Sequence, residues 1–160
     1  MSETQTLSRA AIFEDIAPDI IDQLCSKGRQ ISVEAGHRLF DRDEEANDLM
    51  VLLEGAVDLV FPVHVMNVTR EVAMDRLQAG DVVAWSSLVP PYRFTLSAEC
   101  TTQCVLTALS RSVLEDFFET DAHTGHLFMR NLAGVIGRRL QGMQMMWVHD
   151  LQTSAAKRMA

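Results

Sequence analysis

Cysteine is scarce: Cys25, Cys100 and Cys104 are an odd number and too few for a disulfide framework. Free thiols suit a reducing compartment. No apolar run approaches the about 18–20 residues needed to span a bilayer, and the polar start from Met1 to Arg9 lacks the apolar stretch of a signal peptide. The expected setting is the cytoplasm, with no membrane partner. Basic residues are outnumbered, 14 Lys and Arg against 22 Asp and Glu, and the net charge of -8 opposes non-specific association with nucleic acid or anionic lipid. Enzyme motifs are missing as well, with no G-x-S-x-G elbow, G-x-x-x-x-G-K-[ST] loop or H-E-x-x-H helix. Between Arg38 and Ala122 the only histidine is His64, whereas a cupin-like metal enzyme needs a cluster of them on its strands. No enzyme is expected.

What is present is 160 residues, 48% of them apolar, enough for a single domain over 1–160 that buries roughly 68–70% of its unfolded surface. Ala11, Ile12, Ile16, Ile20, Ile21 and Leu24 recur at helical spacing, with Pro18 suited to a first turn, and predict two short helices over about 8–27. After Gly28 the pattern changes to short segments punctuated by glycine. The run Leu49–Glu54 ends in Gly55, and Val57, Leu59, Phe61, Val63 and Val65 then alternate with a period of two, as in a half-buried strand. Gly80 and Asp81 break the sheet, and further strands are expected between Leu96 and Leu109, giving an antiparallel roll over about 30–109.

From Ser110 the helical period returns. Val113, Leu114, Phe117 and Phe118 make a short amphipathic helix that stops near Asp121, and a longer one follows from Thr124 to Leu151. Its stripe includes Leu132, Ile136, Leu140, Met143 and Trp147, and at 1.5 Å per residue it is about 40 Å long. That outruns a small barrel, so the stripe is expected to form a dimer seam with a second copy, flanked by Arg138 and Arg139. A short tail, 152–160, is expected after it. Cys100 and Cys104, read on one face of one strand, would lie about 13 Å apart, too far to share a metal. His123 and His126 are read as solvated residues at a helix start.

Five stretches in this order resemble the cyclic-nucleotide-binding domain of the Crp/Fnr superfamily over nearly the whole chain. They are Ile12-Phe-Glu-Asp-Ile16, Ala35-Gly-His-Arg-Leu-Phe40, Leu49 to Leu59, Leu77-Gln-Ala-Gly-Asp-Val-Val83, and Arg111 to Leu114 followed by Arg138-Arg139-Leu140. The resemblance implies an α+β fold: a jelly-roll-like antiparallel β-roll (double-stranded β-helix) with N-terminal helices and a long C-terminal dimerisation helix. It also implies a ligand held between Gly80 and Thr95, with Arg93 at the position that pairs with the cyclic phosphate. A guanidinium offers two phosphate oxygens a rigid fork of donors and keeps its charge when buried. Backbone N–H groups near Ser86, Ser87 and Leu88 would add donors, Trp85 and Tyr92 an aromatic wall, and Thr95 a hydroxyl.

The same segment departs from the family pattern. Where the family has Gly-Glu-x-x-Gly-Glu-x-Ala-Leu, with the second Glu on the ribose 2′-hydroxyl, this chain has Gly80-Asp-Val-Val-Ala-Trp-Ser-Ser-Leu88. Trp85 stands at that Glu, Ala84 at the second Gly, and Phe94 follows Arg93 where a small residue is usual. The expected function is a non-catalytic small-molecule sensor taking cAMP, cGMP or another small anion. The alternatives are a ligand-free dimerisation scaffold with a pocket closed by Trp85 and Phe94, and a haem sensor using His64 or His37. Only nine residues follow Leu151, so direct DNA binding through a helix-turn-helix domain is not expected.

Overall fold

A computed structural model describes residues 3–159. The chain opens with α1 (Glu3–Leu7), one 3-10 turn (Ala11–Phe13) and α2 (Pro18–Ser26), which starts on Pro18 because a first-turn residue has no helical partner for its missing N–H. The first helix thus begins earlier than residue 8, and the apolar spacing from Ala11 to Ile16 belongs to the 3-10 turn and its exit rather than to a helix. Eight strands follow: β1 (Arg29–Val33), β2 (Arg38–Phe40), β3 (Asp48–Glu54), β4 (Ala56–Val65), β5 (Val68–Gln78), β6 (Val82–Ala84), β7 (Ser97–Cys100) and β8 (Cys104–Ser110). They form two four-stranded antiparallel sheets, β1-β8-β3-β6 and β2-β7-β4-β5. The expected β-roll is this pair of sheets.

The chain passes between the sheets six times, and two of these crossings touch. At Gly55, between β3 and β4, φ is +94°, and an added Cβ would lie 2.3 Å from the carbonyl oxygen of Gln103, so only glycine fits. The other is the Thr101–Gln103 turn, where Thr101 N–H donates to Ala56 O and Thr102 Oγ1 accepts from Ala56 N–H. This crossing corrects the reading of Cys100 and Cys104 as neighbours on one strand. Cys100 ends β7, Cys104 begins β8, and the chain reversal brings both side chains into one buried cluster, where Cys104 Sγ lies 3.3 Å from Ala56 O. Burial, with a further contribution from the neighbouring Cys104 thiol, pushes the Cys100 thiol up to about 12.

The β4 alternation is real, but its outer half is uncovered. A bulge between Leu59 and Val60 shifts the register against β5, and β7 stops pairing at Val60. Val57 and Leu59 are buried, while Phe61, Val63 and Val65 are exposed on a hairpin that projects past the roll.

Alternation along β3 builds two cores from one strand. Leu49, Val51 and Leu53 pack with Ile12, Phe13, Leu114, Phe117, Phe128 and Leu132 on the helical side, and Met50 and Leu52 pack with Phe40, Val57, Val83 and Leu106 inside the roll. After α3 (Arg111–Thr120), Asp121 caps α4 (Ala122–Met159) by accepting from Thr124 N–H at 3.0 Å and Thr124 Oγ1 at 2.7 Å. Helix α4 is unbroken for 38 residues, about 57 Å at 1.5 Å per residue, and it includes positions 152–159 that were expected as tail. Buried Asn131 fastens it to the N-terminal segment, its Nδ2 donating to the carbonyls of Ile12 at 3.1 Å and Glu14 at 2.7 Å.

Candidate functional site

Where α4 crosses the mouth of the roll, two cavities adjoin. The larger, about 590 Å³, lies between Phe40, Val83, Ala84, Trp85, Ser86, Phe94, Thr95 and Leu96 of the roll and Ile136, Arg139, Leu140, Met143 and Trp147 of α4. Leu59, Phe61 and Met74 of the β4–β5 hairpin close a third side. Phe40 and Phe94 stack at 3.7 Å between centroids with planes 12° apart, forming a flat apolar surface. The smaller cavity, about 330 Å³, lies on the side of Asp75, Gly80, Asp81 and Val82 and shares Arg139 with the larger one.

Arg139 is therefore the cation between the two spaces. Its side chain is largely covered, its Nη2 donates to the carbonyl oxygen of Val82, and its Nε lies 3.6 Å from a carboxylate oxygen of Asp75. Burial pulls its pKa below the ordinary arginine range, and the charges of Asp75 and Asp81 oppose that pull. Since Ile136, Arg139, Met143 and Trp147 follow one another at intervals of three and four, they share one face of α4. That position on an apolar stripe is the signal that marks Arg139. Reading it as a flank of a helix seam passes over it.

The 3-10 turn Ser86–Leu88 positions the segment expected to hold ligand. Trp85, Ser86 and Thr95 line the larger cavity. Ser87 is fully buried with no partner for its Oγ, and Leu88 packs against the helical-side core. The Leu88 N–H, expected among the anion donors, is used by Trp85 O. Tyr92 has φ +59° and its ring lies 4.0 Å from the guanidinium carbon of Arg111. Arg93 is exposed, donates to Asp43 O at 2.5 Å, and lines neither cavity. Of the seven expected ligand residues, the cavity brings together Trp85, Ser86 and Thr95.

On α4, Leu132 is 1% exposed inside the protomer's own core, which removes it from any seam with a second copy. Ile136 and Met143 are half-buried, while Leu140 is 56% and Trp147 67% exposed. His37 and His64 are exposed and line neither cavity, with His64 Nδ1 at 2.6 Å from Thr69 Oγ1. Among the described residues no group of three or more His, Cys, Asp or Glu side chains converges as for a metal, and no helix is long and apolar enough to cross a membrane.

The sequence profile described as "Cyclic nucleotide-binding domain" matches residues 30–121, more than half of the chain. No curated protein sequence matches significantly. Among solved structures, a cyclic nucleotide-binding domain from Methylobacillus flagellatus is similar with a TM-score of 0.80 at 14% identity, over 92% of this chain and 81% of that one. The catabolite activator protein of Thermus thermophilus has a TM-score of 0.72 at 22% identity, over 90% of this chain and 63% of its own. The regulatory domain of Toxoplasma gondii PKA, crystallised with cAMP, has a TM-score of 0.60 at 14% identity, over 71% of this chain and 42% of its own. At these identities the likeness is one of fold, and the profile match supplies the family. This chain belongs to the cyclic nucleotide-binding domain family.

Proposed function

We propose that this chain is a non-catalytic sensor in which a small anion enters the larger cavity and changes how α4 packs, and that it works as a homodimer through α4. One observation carries the reading: roll and α4 line the same space of about 590 Å³, so a bound molecule touches both at once. A ligand that prefers one arrangement of α4 then shifts its population. The open space also favours a sensor over a scaffold whose pocket is plugged by Trp85 and Phe94. Trp85, Ser86 and Thr95 would contact the ligand from the roll. Ile136, Leu140, Met143 and Trp147 would contact it or a second copy from the helix.

Because cAMP sits in the Toxoplasma structure, cAMP and cGMP are the first molecules to titrate. Thermal midpoint and amide hydrogen exchange along α4 are followed together, with Arg93→Ala alongside. A ligand at 100 times its dissociation constant adds about 2.7 kcal/mol, a rise of roughly 5–10 °C for a chain of this size. The expected result is a rise with altered exchange between residues 136 and 151. A nucleotide held in the family's manner loses its effect in Arg93→Ala. If nucleotides, small inorganic anions and aromatic anions all leave both readouts unmoved, the scaffold reading replaces the sensor.

A further inference from the structure

The lining of the larger cavity differs in character from what a nucleotide needs. Five of its side chains are aromatic, Phe40, Phe61, Trp85, Phe94 and Trp147, and no carboxylate lines it. Its hydroxyls come from Ser86 and Thr95, and among the described residues Arg139 is its one charged member. A ribose and a purine bring several donors and acceptors, and each one buried against rings and methyl groups without a partner lowers affinity. A flat apolar ring system incurs no such cost and gains from the aromatic walls.

Arg139 has donors to spare. A guanidinium carries five N–H groups, yet the protein engages only Nη2, with Val82 O, and Nε, with Asp75 at the long distance of 3.6 Å. Nη1 bonds no side chain or carbonyl among the described residues. Asp75 and Asp81 both line the smaller cavity, as does Arg138, so the larger cavity meets the cation with no competing carboxylate on its own wall. A largely covered charge with one solvent-reaching donor nitrogen free for a ligand, beside an apolar space of small-molecule size, is the arrangement that captures one anionic group on an apolar body.

We propose that the cavity takes an aromatic molecule bearing a single carboxylate or sulfonate, its charge received by Arg139 and its rings lying among the aromatic side chains. This names the ligand class for the sensor reading above and rests on it. It also makes Arg139, rather than a residue of the roll, the anion contact, so that ligand charge acts on α4 directly.

The test uses the full chain and two fluorescent probes of nearly the same body: 1-anilinonaphthalene-8-sulfonate, an aromatic monoanion, and N-phenyl-1-naphthylamine, which is neutral. The anion binds saturably and about tenfold or more tighter than the neutral probe, as a charge-assisted pair in a covered site should. Arg139→Gln keeps an amide donor for Val82 O and removes the charge. Thr95→Asp leaves Arg139 untouched and places a carboxylate on the wall at an exposed position. Each lowers the anion's affinity far more than that of the neutral probe. Equal affinity for both probes in the unaltered chain, or anion binding unchanged in both variants, overturns the proposal. So does anion binding that vanishes as protein concentration rises, which would give the cavity mouth to a second copy. If cAMP binds and alters exchange in α4 while the sulfonate is excluded, the sensor stands and this ligand class falls. Arg139-dependent binding of the sulfonate with no change in α4 keeps the ligand class and removes the sensor.

Discussion

Asp121 stands between α3 and α4, and its carboxylate is where the long helix begins. Hydrogen bonds from the Thr124 hydroxyl and backbone N–H hold its pKa below the ordinary carboxylate value, with a further contribution from His123. The folded pKa is depressed, so the stabilisation is present above the unfolded value of about 4 and is lost as pH falls through the folded pKa. Asn caps a helix about as well as Asp but does not titrate. Asp121→Asn is therefore expected to leave stability near pH 7 almost unchanged and to flatten the fall of the thermal midpoint below about pH 4. An acid profile that superimposes on that of the unaltered chain would mean that the cap contributes nothing to acid sensitivity.

Helix α4 contains four glycines, three of which, Gly134, Gly137 and Gly142, lie in a segment whose outer half has little covering. At Gly137 an added Cβ meets nothing within 4 Å, so alanine fits without displacement. Glycine in a helix interior costs about 0.8–1.0 kcal/mol relative to alanine, and Gly137→Ala is expected to raise the midpoint by about 2–4 °C. No gain in a thermal melt would show that α4 is frayed at this level in solution.

The order of helices, roll and long helix is legible because the apolar period changes from 3.6 to 2 and back, with glycines at the turns. Less legible are features set by contacts far apart in the chain. The register shift at Leu59 and Val60 depends on where β7 stops, and the Cys100–Cys104 reversal depends on its packing against Gly55. The last turns of α4, Gln152 to Met159, lack an apolar stripe and so read as tail, although their Ala, Lys, Arg and Met residues favour a helix. The cavity-lining Trp85, Ser86 and Thr95 are legible only through the family resemblance, which places a ligand between Gly80 and Thr95. Arg139 was masked because one charge on an apolar stripe looks like an interruption until the cavity beside it is seen.

At the scale of the whole molecule, two apolar surfaces have no cover. One is the part of α4 at and past the cavity mouth, with Leu140 at 56%, Trp147 at 67% and Leu151 at 70% exposure, and the other is the hairpin face of Phe61, Val63, Val65 and Val72. A helix this far from its packing partners gains little from propensity alone, and contiguous exposed patches of this kind mark interaction surfaces. Leu140, Met143, Trp147 and Leu151 are spaced three, four and four apart, the spacing of a two-helix seam. A homodimer through that seam would cover both copies of α4 in one step. In sedimentation equilibrium at micromolar concentration the chain is expected at twice 17.9 kDa. Leu140→Glu with Trp147→Glu brings two like charges from each copy to the seam, and a loss of at least about 2 kcal/mol at such anchor positions weakens dimerisation by about thirtyfold or more. Both positions are exposed in the protomer, so the folded monomer should persist, with its helix signal intact and its midpoint no longer dependent on concentration. A chain that sediments at 17.9 kDa at every concentration would assign the apolar face of α4 to a different protein.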